Sequence, residues 1–379
     1  MKSLIRQPAK KSGMPELKLF TVGPVACYPQ VLEAMASQMF SHRSDEYRAL
    51  HRETVELLRD FLETDGEVFL FPSSGTGFME ASIRNCVKRK VLCTVCGSFG
   101  RRYAEVAETN GREVEVLEVP LGQPITPDLL DEKLSRCPDV EAVTITHNET
   151  SVGLINPLRE LAEVAKSHGK LVFVDAVSSM GGVEIRVDEW GLDVCFSSSQ
   201  KCFGVPPGLA VAAVSEEALR RAEEVPNRGW YFDFLRFRRY QERFETPMTP
   251  SIPQILALNR ILKLIEDWGG KHRYFDLYRR RSETIRSGVE AMGLNLFPRR
   301  GYESPTVSCV RSPEGVDGVR VYEEMRRRGF ELAKGYGPLR HETFRIGNMG
   351  HVEFSDIESM LGNLREVISN LTETAGGGR

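Results

Sequence analysis

Lys201 follows the apolar run VCFSSS as Ser199-Gln200-Lys201, which puts a lysine at the end of an expected strand. In that place a lysine is either a snorkelling surface residue or a desolvated amine whose lowered pKa suits Schiff-base chemistry. Asp175 closes the run LVFVD and is followed by Ala176-Val177-Ser178-Ser179, so its carboxylate leaves the end of a buried strand. A buried carboxylate needs a cationic partner: an arginine, a metal or a protonated heterocycle, with a structural ion pair or a helix cap as the plainer reading. No histidine or glutamate cluster lies nearby, so a metal is the weakest option and none is expected. The separation 201 − 175 = 26 fits one crossover and one strand, and lets both side chains reach one crevice.

A third element is Pro72-Ser73-Ser74-Gly75-Thr76-Gly77, after the run ending at Phe71 and before a helical pattern containing Met79 and Ala81. Small residues let backbone N–H groups approach an anion, hydroxyls add donors, and a helix N-terminus adds positive potential. A phosphate fits such a loop; so does a plain glycine turn with a hydroxyl N-cap. Neither GxxxxGK[ST] nor a GxGxxG after a strand is present, so nucleotide motifs do not explain it.

These residues must be carried by βα units. Apolar runs at 67–71, 91–95, 113–119, 142–146, 171–175, 194–198 and 209–214 predict seven strands. Helical spacing over 51–62, 101–110 and 158–168 separates them, with Asn110-Gly111 and His168-Gly169 as stop signals. This alternation predicts an α/β fold around a mostly parallel seven-stranded sheet, with ligands at the carboxyl ends of the strands. Past Pro226 the alternation ends. From about Gly270, helical patterns at 274–292 and 316–328 and strand patterns at 306–310 and 343–346 predict a smaller C-terminal α+β domain. The expected division is an N-terminal arm (1–25), a large domain (26–265) and a small domain (266–379).

Composition agrees with such a fold. Hydrophobic residues are 41% and charged residues 27% of 379, an ordinary globular balance. The net charge of −3 gives no field that argues for nucleic acid, and no apolar stretch reaches the length of a signal peptide or a membrane span. A cytoplasmic protein that works on small molecules is expected. The eight cysteines sit mostly in apolar runs such as VLCTVCG and read as buried thiols.

Taken together, LFTVGPV (Leu19 to Val25), SHRSDEY (Ser41 to Tyr47), SSGTG (Ser73 to Gly77), GSFGRRY (Gly97 to Tyr103), HNETSVG (His147 to Gly153), VDAVSSMGG (Val174 to Gly182), SSSQKCFGVPPG (Ser197 to Gly208) and FRIGNMG (Phe344 to Gly350) resemble the class V aminotransferases of fold type I. That group includes alanine–glyoxylate and serine–pyruvate aminotransferases, and the resemblance covers nearly the whole chain. It implies pyridoxal 5'-phosphate as cofactor, bound to Lys201 as a Schiff base, with Asp175 on the pyridinium nitrogen. It also implies Phe99 and Val177 on the two faces of the ring, Ser74, Gly75 and Thr76 on the phosphate with Gln200 nearby, and Thr150 near the ring hydroxyl. Arg345 would bind the substrate α-carboxylate. The loop at Gly23 would contact the substrate side chain. Thr249 or Ser251, in TPMTPSIP, would reach the phosphate in a partner subunit, making the working unit a homodimer with shared sites.

The implied reaction moves an amino group from alanine, serine or aspartate to glyoxylate, pyruvate or 2-oxoglutarate by a ping-pong route. The chain has Gly23-Pro24-Val25 where many relatives carry a GPGP-like run, so donor preference does not carry over. Arg43, His42, Tyr231 and Arg340 are candidates to shape the pocket; a second arginine there would favour a dicarboxylate. A cysteine desulfurase-like lyase and a phosphoserine aminotransferase are alternatives on the same fold. The former needs a mobile cysteine and a stacked histidine, where this chain has Cys309 in an expected strand and Phe99. A non-catalytic binding protein would be expected to lack Lys201 or Asp175.

Overall fold

The structure, a computed structural model, describes residues 17–376. Residues 1–16 of the expected N-terminal arm lie outside the described residues. Seven strands form the central sheet in the order Glu67–Phe71, Ala210–Val214, Val194–Ser198, Leu171–Asp175, Ala142–Thr146, Lys90–Val95 and Glu113–Glu118. Ala210–Val214 runs antiparallel to both neighbours and every other pairing is parallel. The expected seven-stranded, mostly parallel α/β fold is therefore observed, with strand ends moved by one residue at most.

The inner strands are buried along their whole length, which is why they read as continuous apolar runs and not as alternations. Register decides where the chemistry gathers. Thr146 pairs with Asp175, and Asp175 with Phe196. Phe71 pairs with Ala210 and Ala210 with Ser198. The loops after Phe71, Asp175 and Ser198 therefore leave the sheet at one edge.

Under the Phe71 end, Phe78 stacks at 4.1 Å and Phe237 packs at 4.2 Å between ring centroids. Pairs of this kind add about 0.5–1.5 kcal/mol each beyond their burial, and they fix the start of the loop at 72–74. Helix Gly75–Cys86 begins directly after it. Helix Asp45–Leu62 begins six residues earlier than its apolar spacing predicts, because the Ser44 hydroxyl accepts from the Tyr47 N–H at 3.4 Å and Asp45 and Glu46 occupy the first turn.

A second, antiparallel sheet is built from Val307–Arg311, Thr343–Gly347 and Ala333–Lys334. Helices Lys271–Glu290, Gly318–Arg327 and Phe354–Gly376 pack around it over a separate core that includes Phe344, Ile346, Met360 and Leu364. Residues 18–22 stitch the two parts together. Lys18 and Leu19 pair with Phe330 and Glu331, the Gly347 N–H donates to the Phe20 carbonyl at 2.8 Å, and the Val22 carbonyl accepts from Lys201. All the cysteines except the half-buried Cys27 are buried, and all eight are free thiols. No helix among the described residues is long and apolar enough to cross a membrane.

Candidate active site

At the shared edge of the sheet lies a cavity of about 260 Å3. Gly23, Ser74, Gly75, Thr76, Phe99, Thr150, Asp175, Val177, Gln200 and Lys201 all line it. Ten of the sequence-derived candidates, scattered in sequence from Gly23 to Lys201, thus meet at one place.

Lys201 is 9% exposed, and its amine donates to the Val22 carbonyl. Burial, with the positive charge of Arg345 second, lowers its pKa to about 8. Its backbone is held from the far side of the structure: the hydroxyls of Tyr274 and Tyr278 both donate to the Cys202 carbonyl, at 2.8 and 2.7 Å. Asp175 is 4% exposed and burial raises its carboxyl to about 7. One of its oxygens accepts from the Val177 N–H at 2.9 Å. The other has no partner among the described residues and faces a cavity with room for a cation.

The loop at 74–76 keeps its donors free. Ser74 is the N-cap residue of Gly75–Cys86, yet its hydroxyl makes no capping bond. Gly77 N–H turns back to the Ser74 carbonyl at 2.9 Å, whereas the N–H groups of Gly75 and Thr76 have no acceptor among the described residues. A Cβ at Gly75 would stand 2.4 Å from Val177 Cγ2, so only glycine leaves both the helix start and Val177 in place. Beside this loop, the buried Ser198 Oγ and Gln200 Oε1 also lack partners.

Phe99 is placed by a residue that the sequence did not single out. Helix Ser98–Thr109 starts three residues before its apolar pattern and has Gly97 as N-cap, with no side chain to offer. The buried carboxylate of Glu149 substitutes, accepting from Phe99 N–H at 3.0 Å and Gly100 N–H at 3.1 Å with one oxygen and from Ser151 with the other. Burial raises the Glu149 pKa against these bonds. A Cβ on Gly97 would lie 2.5 Å from Glu149 Cγ, which explains the glycine.

Three groups of candidates lie outside the lining of this cavity. Arg345 is 6% exposed and does not line the cavity; its guanidinium is drawn behind the wall, donating to the Lys334 and Thr150 carbonyls at 3.0 Å each. Thr249 is exposed and Ser251 donates to Gln254, and neither lines this chain's cavity. Arg43, His42, Tyr231 and Arg340 stay away from it as well; Arg43 is engaged by the Thr246 carbonyl at 2.9 Å and by Glu245. Asn148 and Arg102, which were not predicted, do line it.

The arrangement couples a buried amine of lowered pKa, a buried carboxylate with a free oxygen, and an anion cradle with unused donors. Chemically it can hold a phosphorylated, protonatable heterocycle that carries a carbonyl.

Known proteins agree on the family. The family model "Aminotransferase class-V" matches residues 25–296. An uncharacterized aminotransferase of Methanocaldococcus jannaschii is 37% identical, covering 88% of this chain and 87% of that protein. A serine–glyoxylate aminotransferase of Methylorubrum extorquens is 32% identical over 93% of this chain and 91% of its own. An aspartate aminotransferase of subgroup IV from Thermus thermophilus superposes with a TM-score of 0.86 at 32% identity, covering 93% of this chain and 99% of that one. The chain is a transaminase, a member of the class V aminotransferase family.

Proposed function

We propose that this transaminase moves amino groups between small amino acids and 2-oxo acids, with pyridoxal 5'-phosphate held in the 260 Å3 cavity by Lys201. The observation that carries the reading is the meeting of Lys201, lowered to about 8, and Asp175, raised to about 7, beside an anion cradle whose donors are unspent. The residues fit this cofactor. The free N–H groups of Gly75 and Thr76, the hydroxyls of Ser74 and Thr76, and the unpartnered hydroxyl of Ser198 supply phosphate donors, with Gln200 nearby. The open oxygen of Asp175 is the partner for a ring N–H, and Thr150 with Asn148 offers polar groups for a ring hydroxyl.

When bound, pyridoxal phosphate supplies an electron sink for the carbanion at the substrate Cα and stores the amino group between half-reactions. Lys201 tethers it and, once released, takes the Cα proton at Nζ as general base, a task that its lowered pKa suits near neutral pH. Asp175 keeps the ring nitrogen protonated through charge and position. Phe99 and Val177 confine the ring plane, and Arg345 swings from the Thr150 carbonyl to meet the substrate α-carboxylate. Storage of the amino group makes the kinetics ping-pong. We also propose a homodimer in which Thr249 or Ser251 completes the phosphate site of the partner, and a division of the chain into 1–25, 26–265 and 266–379.

A desulfurase reading is disfavoured by Cys309: it is fully buried in Val307–Arg311, its thiol is pushed up to about 11, and no cysteine lines the cavity. The test is spectral. Purified protein given pyridoxal phosphate should gain a visible absorbance band that disappears when an amino acid is added, with one equivalent of 2-oxo acid released before any acceptor is present. Protein that never acquires the chromophore would overturn the reading.

A further inference from the structure

The pair Arg101-Arg102 divides at the site. Arg101 faces only the outer of two adjoining cavities, where it is neutralised by Glu118 at 2.5 Å. Arg102, one helical step on, lines both the inner cavity and an adjoining outer cavity of about 460 Å3. Its guanidinium lies 4.9 Å from the Phe99 ring centroid and donates to the Tyr336 hydroxyl at 3.3 Å. No carboxylate among the described residues comes within 4.0 Å of it.

Arg345 is in the same condition. Its protein partners are two backbone carbonyls, and one guanidinium nitrogen, Nη2, bonds to nothing among the described residues. Its guanidinium carbon sits 5.5 Å from the centroid of the same Tyr336 ring. One tyrosine therefore holds a guanidinium against its face and another at its hydroxyl, and neither guanidinium has a carboxylate within 4.0 Å among the described residues. The buried Arg345, held only by backbone carbonyls, and the half-buried Arg102, in a cavity where Glu118 is taken by Arg101, each keep donors that an anionic ligand can use. A planar guanidinium matches a carboxylate in two-point contact, and two of them set apart by a tyrosine match a molecule with a carboxylate at each end.

We propose that Arg102 binds the second carboxylate of a dicarboxylic amino acid whose α-carboxylate is taken by Arg345. The preferred donor is then an aspartate- or glutamate-like molecule in place of alanine or serine. The inference rests on the transaminase reading above and deepens it by naming the substrate class. Tyr336 acts as a positioning residue that keeps the two guanidiniums apart.

The test uses the holoenzyme and unreactive ligands, so that it does not depend on turnover. Calorimetric binding of succinate is compared with that of propionate, for the native protein, Arg102→Gln and Arg102→Lys. Native protein should bind succinate at least tenfold more tightly than propionate. Arg102→Gln should erase most of that preference, a loss on the order of 10- to 100-fold for one charged two-point contact, and Arg102→Lys should restore part of it. Turnover should split the same way, the loss with aspartate exceeding the loss with alanine by tenfold or more, chiefly through KM. Equal binding of succinate and propionate by native protein, or equal weakening of both by Arg102→Gln, would overturn the inference. Active turnover of alanine with no preference for aspartate leaves the transaminase reading standing and removes this one. Tight succinate binding with no conversion of any amino donor would overturn the donor assignment and leave Arg102 only as a carboxylate contact.

Discussion

Gly23 and Lys201 share one space: a Cβ built at residue 23 would stand 2.6 Å from Lys201 Cδ and 2.7 Å from its Nζ. The lysine stem lies where any other residue would place its side chain, and the amine reaches the Val22 carbonyl just beyond. Gly23, read from the sequence as a substrate contact, is first of all the residue that makes room for the amine.

Replacement Gly23→Ala should therefore injure Lys201 more than it injures the fold. The backbone φ of +112° is unfavourable for alanine and the methyl group meets the stem, so a cost of about 1–3 kcal/mol is expected. Incorporation of pyridoxal phosphate should slow by on the order of tenfold or more. Stopped-flow absorbance gives the rate and a thermal melt gives the stability. Unchanged incorporation would show that the lysine finds another path.

Glu149 anchors the start of the helix that presents Phe99. Removing its carboxylate as Glu149→Ala strands the buried N–H groups of Phe99, Gly100 and Ser151 and should cost about 2–4 kcal/mol. Glu149→Gln keeps an acceptor and should lose roughly half as much. Denaturant unfolding measures both. A Glu149→Ala protein as stable as the native one would show that the helix start needs no cap.

Lys201 in the protein without cofactor should behave as an amine of pKa about 8. The direction is fixed by its cause: burial penalises the charged form, so the proton leaves at lower pH than from an ordinary lysine. Its acetylation by acetic anhydride, followed by peptide mapping, should rise about tenfold per pH unit up to pH 8 and then level off. The buried charge also makes this group a stability cost that is fully present below pH 8. That cost is relieved as pH rises from about 8 toward 10.5, where the unfolded chain still holds the proton that the folded chain has lost. An acetylation midpoint near 10.5 would mean that the amine is solvated.

Much of this was legible in the sequence because the relevant signals are local. A fully buried strand is an apolar run, and a residue that follows such a run, as Lys201, Asp175 and Ser74 do, must emerge at a sheet edge. What was hidden depends on pairs distant in sequence. Glu149 caps a helix fifty residues before it, so its role left no local pattern beyond Gly97, an N-cap position with no side chain. Tyr274 and Tyr278 read as a helical apolar face, yet their hydroxyls fix the turn after Lys201. Arg101 and Arg102 look alike in sequence, and only the helix rotation separates the outer ion pair from the cavity. Arg345 was found by resemblance, but its retreat behind Thr150 follows from two carbonyl bonds that no spacing encodes.

The account depends most on Lys201 as the residue that carries the cofactor, and one measurement addresses it directly. The protein is incubated with pyridoxal phosphate, reduced with borohydride, digested and mapped by mass spectrometry. A stoichiometric pyridoxyl-phosphate adduct on the peptide containing Lys201, absent after prior addition of an amino donor, is the predicted result. An adduct spread over surface lysines, or seated on another single lysine, would contradict it.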